Sequence, residues 1–66
     1  MKKSTIRKYF KIFENKTSFI FMNTMNVHIE LNKMNGEFIT GNVEPNENDI
    51  KVLMSVANEL KNRLTK

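Results

Sequence analysis

Sixty-six residues without a cysteine leave room for one small domain, 1–66, and exclude disulfides and thiolate metal sites. Eleven lysines and arginines against seven aspartates and glutamates give a net charge of +4. A core this small contributes little stability by itself, and a single histidine, His28, offers no cluster for a metal, so self-association is the expected reinforcement.

The N-terminal Met1-Lys2-Lys3 opens like a signal peptide, yet Arg7, Lys8 and Lys11 interrupt the apolar run that such a peptide needs. The uncharged stretch from Thr17 to His28 falls well short of the roughly 20 residues of a membrane span. Ten asparagines and nine lysines beside only two arginines carry the bias of AT-rich coding DNA. The expectation is a soluble chain with no membrane association, in the cytoplasm of a low-GC bacterium or a phage-infected host cell.

Residues 1–16 form a basic segment in which Ile6, Tyr9, Phe10 and Phe13 share one helical face and Arg7, Lys8, Lys11 and Glu14 the other, with Ser4 or Thr5 available as a cap. Aromatic and β-branched content favours a strand instead. The wheel decides for a helix over 5–14, with a fourth strand as the alternative.

The sheet is expected over 18–43. Apolar residues at odd positions from Phe19 to Leu31 would make a strand of about 50 Å if unbroken, too long for a domain of this size. A break near Asn23-Thr24 gives two strands, Ser18 to Met22 and Met25 to Asn32. Met34-Asn35-Gly36 then signals a hairpin. A three-residue loop with Gly36 left-handed pairs Leu31 with Ile39, Ile29 with Gly41 and Val27 with Val43, which yields one clean apolar face.

From Ile50 the residues Ile50, Leu53, Met54, Ala57, Leu60 and Leu64 recur at helical spacing and predict an amphipathic helix over 47–64. Asn46 is placed to cap it, Glu47 and Asp49 put negative charge at its positive end, and Lys61, Arg63 and Lys66 gather where cations are favoured. Val52 and Val56 widen its apolar arc beyond what one packing surface needs. The fold class is therefore α+β: a small antiparallel three-stranded sheet with an N-terminal helix, or that fourth strand, and a C-terminal helix, in the order α-β-β-β-α.

Chemistry is sparse along the chain. His28 falls on the even-numbered strand face with Glu30, away from the core. None of Ser4, Ser18 and Ser55 stands in a nucleophile turn. Glu44, Glu47 and Asp49 lack the alternation and glycine of a calcium loop, and Gly36 and Gly41 do not precede a helix as a phosphate loop would. No enzyme, cofactor or metal site is expected.

Charge is more informative. Residues 1–16 hold six cations against Glu14, a net of +5, so the remainder of the chain is close to neutral. Two functions follow as expectations. The first is a protein-interaction module, a homodimer that binds and inhibits or regulates another macromolecule, in its most concrete form a phage-encoded inhibitor of a host protein; Ile20, Met22, Phe38, Val52 and Val56 form its surface. The second is a nucleic-acid-binding regulator that grips phosphates with Lys2, Lys3, Arg7, Lys8 and Lys11.

Overall fold

The computed structural model describes residues 2–64, with side chains through residue 61. Its N-terminal segment is helix and strand in succession: α1 covers Lys3–Tyr9, and β1 follows without a gap at Phe10–Glu14. The Phe10 N–H donates to the Ile6 carbonyl and completes the last helical turn. Beyond it Phe10, Ile12 and Phe13, aromatic and β-branched, take up the extended geometry they favour. Ser4 and Thr5 lie inside α1 and not at its cap, which is Lys2 with no side-chain cap bond.

Three more strands complete an antiparallel sheet ordered β1-β2-β3-β4: β2 at Ser18–Asn23, β3 at His28–Asn32 and β4 at Phe38–Gly41. Asparagines turn the chain between them. The side-chain oxygen of Asn15 accepts from the Thr17 and Ser18 N–H groups (2.9 and 2.7 Å) at the first turn. At the second, the expected break, Asn23 accepts from Met25 and Val27 (2.9 and 3.0 Å), and Asn26 is left-handed with φ 64°. At the third, Asn32 accepts from Met34 (2.8 Å). Such side chains replace backbone partners that a turn removes, and they tolerate left-handed geometry.

The third hairpin corrects the expected register. Asn32 N–H donates to the Glu37 carbonyl and Gly36 N–H to the Asn32 carbonyl (2.8 and 2.7 Å), so the loop holds four residues, with Gly36 at φ 75°. Ile29 faces Gly41 as expected, but the register shifts between Glu30 and Leu31, which then faces Phe38 and not Ile39. One extra residue, Ile39, inverts the alternation: Phe38 turns to the core and Ile39 to solvent. Gly41 permits a close approach here, since a Cβ on it would stand 2.2 Å from the His28 carbonyl oxygen.

The C-terminal helix α2 spans Glu47–Leu64, with Asn46 accepting from Asp49 N–H at 2.8 Å as its cap. Lys66 and the side chains of Arg63 and Leu64, expected at its last turn and apolar face, lie outside the described residues. The core joins Phe19 and Phe21 of β2, Ile29 and Leu31 of β3, Leu53, Val56 and Ala57 of α2, and Ile6 of α1. The wide apolar arc of α2 is thereby explained from within the chain. Val52, Val56 and Glu59 follow one another at helical spacing; Val56 and Ile6 are fully buried, and Lys3 and Arg7 of α1 both bond Glu59. It is α1 that covers the second stripe.

Candidate functional site

Both helices contribute to the one core, and their packing leaves the sheet with an inner and an open face. Strand alternation sends Lys11, Phe13, Ile20, Met22, His28, Glu30 and Thr40 to the open one. Phe13 is paired with Ile20 and Lys11 with Met22, which sets an aromatic ring, a branched aliphatic and a thioether side by side. Phe13 is 50% exposed and Met22 44%, with Ile20 half-buried between neighbours.

At the α1–β1 junction this strip runs into a groove of about 440 Å³ whose walls include Lys8, Tyr9, Lys11, Phe13, Met22 and Asn23. Tyr9 is 54% exposed, and Lys8 Nζ stands 5.5 Å from the centre of its ring, an attraction of the ammonium to the ring quadrupole. Among the described residues no carboxylate lines the groove. The other cations near it are engaged elsewhere: Lys3 Nζ bonds Glu59 at 2.9 Å and Arg7 bonds the same carboxylate. These hydrogen bonds, from Lys3 first and Arg7 second, hold the Glu59 carboxyl below its ordinary value. Glu14 is lowered likewise, chiefly by its hydrogen bond from Lys33, with Lys61 3.6 Å away.

The expected surface is therefore redrawn. Val56 is in the core, Phe38 packs on the inner face, and Val52 is half-buried against the core, so those three do not form an open patch. Ile20 and Met22 remain, joined by Phe13 and Tyr9. The expected phosphate contacts divide as well: Lys3 and Arg7 brace α1, while Lys8 and Lys11 flank the groove and Lys2 precedes α1. The helical wheel groups Phe13 with Ile6, Tyr9 and Phe10; strand alternation read over 10–14 alone, with Phe10 and Ile12 against Lys11 and Phe13, is the signal that places it outside.

Ser18 and His28 do not converge. Ser18 faces Asn32 and His28 faces Met22, four strand positions apart, or about 13 Å. The buried Ser18 hydroxyl stands 2.8 Å from Glu30 Oε2 and 2.9 Å from Asn15 Oδ1. Its one proton serves a single acceptor at a time, with the carboxylate the stronger, and the arrangement ties the first turn to β3. Among the described residues no three metal-ligating side chains gather, and no helix is long and apolar enough to cross a membrane.

No protein-family model, curated protein or solved structure matches the chain. The site itself is what carries a functional reading.

Proposed function

We propose that the chain is a non-enzymatic protein-interaction module that engages its partner through the open sheet face and the adjoining groove at β1. The observation that carries this is the half-exposed strip of Phe13 and Met22 on the side of the sheet opposite the helices, continued by Tyr9 at the α1–β1 junction and flanked by Lys8 and Lys11. Exposed apolar side chains that adjoin one another and are rimmed by polar groups mark contact surfaces more often than single scattered ones do. Such a module acts by covering part of its partner, as an inhibitor or regulator does. With the asparagine- and lysine-rich composition, we read it as encoded by a phage or an AT-rich bacterial genome and working in the cytoplasm. A homodimer built over the same strip is the arrangement in which the partner is a second copy.

Photo-crosslinking by position tests the reading. A benzoylphenylalanine at position 13 or 22 is expected to give a discrete adduct in cells that make the chain. The same group at Lys51, exposed on α2, is expected to give none. Equal labelling from all three positions would remove the support for this face. Light scattering on the eluted adduct distinguishes a second copy from another protein.

A second reading, nucleic-acid binding, is favoured by one observation: Lys8 and Lys11 flank aromatic rings in a groove that no carboxylate of the described residues lines. It requires oligonucleotide binding that weakens with salt, at a logarithmic slope of about −0.7 per phosphate contacted for a single strand.

A further inference from the structure

We infer that the partner at this site presents an extended segment in which carboxylates alternate with apolar side chains, added to the sheet as a fifth strand along β1. The inference rests on the interaction reading above and names the chemistry of the partner.

Backbone geometry is the first support. Among the described strands β1 is bonded to β2 alone and forms an edge of the sheet. Asn15 N–H donates to the Ser18 carbonyl, and Asn23 N–H on the far side of β2 donates to the Val27 carbonyl. Antiparallel alternation then turns Lys11 and Phe13 toward β2 for their backbone bonds. The N–H and C=O groups of Ile12 and Glu14 face outward, at the spacing another strand offers. The opposite edge is different: β4 has four residues, a bulge at Ile39 and a glycine at its end. Bulges and short length obstruct pairing at an edge, whereas β1 pairs over five residues with no shift of register.

Charge selects the occupant. A strand laid along β1 puts every second side chain on the open face, beside Lys11 and Phe13 and within reach of the groove. Lys8 and Lys11 call for a carboxylate there, and Tyr9, Phe13 and Met22 for an apolar neighbour. A second copy paired through β1 would gather its own Lys8 and Lys11 at this edge, and two segments of net +5 repel. A phosphodiester strand meets the lysines but has no donor for the outward carbonyls of Ile12 and Glu14. A peptide satisfies both donors and acceptors of the edge.

The test is selection of a random dodecapeptide library on the full chain, followed by nuclear magnetic resonance with the enriched peptide. Enrichment of aspartate or glutamate alternating with valine, isoleucine, leucine or aromatic residues is expected. The enriched peptide should slow amide exchange at Ile12 and Glu14 by roughly tenfold. The paired substitution Lys8→Glu and Lys11→Glu, both at exposed positions and checked for folding by circular dichroism, should weaken binding by roughly tenfold. Enrichment of basic or uncharged peptides, binding that leaves the Ile12 and Glu14 amides unchanged, or tighter binding of a thymidine dodecamer in the groove each overturns the acidic-strand inference while leaving a contact surface at β1. Failure of peptide, oligonucleotide and a second copy alike to bind overturns the inference together with the proposed function.

Discussion

On the inner face of the sheet Phe19, Phe21, Ile29 and Leu31 each keep 2% or less of their surface, while across the same strands Phe13 and Met22 keep about half of theirs. These apolar side chains are alike, although the open face also carries Lys11, His28, Glu30 and Thr40; what separates their exposure is cover. Both helices lie on one side, with α2 filling the middle and α1 closing the stripe that α2 leaves. Among the described residues no third layer lies over the other side. The inner face accordingly holds the fold together, and the open face is the one that the proposed contact would use.

The widest contrast is between Phe21 and Phe13. Phe21→Ala removes a fully buried ring and should cost about 3 to 5 kcal/mol, comparable to the whole stability expected of a core this small, so circular dichroism at 25 °C should show an unfolded chain. Phe13→Ala should change stability by less than about 1 kcal/mol in a urea titration, yet abolish the crosslinks formed from position 22. Equal destabilisation by the two would mean that both faces are structural, and the division proposed for them would fail.

Gly41→Ala comes next and probes the edge remote from β1. The added methyl group meets the His28 carbonyl oxygen, which is backbone and cannot rotate aside, at a position with φ 156°. A loss of about 2 to 3 kcal/mol is expected in the same titration, with the peptide contacts at β1 intact.

What the sequence disclosed about these faces depended on how local the cause was. The α2 helix was legible because its cap, its first-turn acids and its apolar spacing are written within one element. The strand break at Asn23 was legible from length alone. Residues 5–14 misled because a helix and a strand share them: the wheel linked Ile6 to Phe13 across a junction, although the alternation that governs Phe13 begins only at Phe10. Phe38 misled because one bulged residue inverts the alternation between itself and the turn, and no residue type announces a bulge at Ile39. The width of the α2 arc was a true signal of a second cover. Sequence spacing does not name that cover, because the covering residue, Ile6, lies more than forty positions away in the chain. The asparagines carry more than coding bias: Asn15, Asn23, Asn32 and Asn46 each accept backbone hydrogen bonds at a turn or cap.

Asn46→Ala sharpens the inner side of the comparison at moderate cost. It removes the 2.8 Å bond to Asp49 N–H and should lower stability by about 1 kcal/mol, read from the urea midpoint. Amide exchange should quicken in the first turn of α2 and hardly at all in β1.

The smallest expected effect concerns how α1 is held. Glu59 takes hydrogen bonds from Lys3 and Arg7, and both lower its carboxyl below the ordinary value of 4.5. A carboxyl lowered on folding adds stability above its unfolded value, and that stability is lost as pH falls through the folded one. The Glu59→Gln variant should therefore melt slightly below the parent at pH 7, by a few degrees at most because the pairs are exposed, and the two curves should converge as the pH drops below 4.5. Because α1 covers the stripe of Val52 and Val56, the Val56 amide should exchange faster in the variant at pH 7, with the open face unaffected. If Met22 responds as strongly as Val56, the helices stabilise both faces of the sheet together, and the separation between a structural side and a binding side is narrower than the exposures imply.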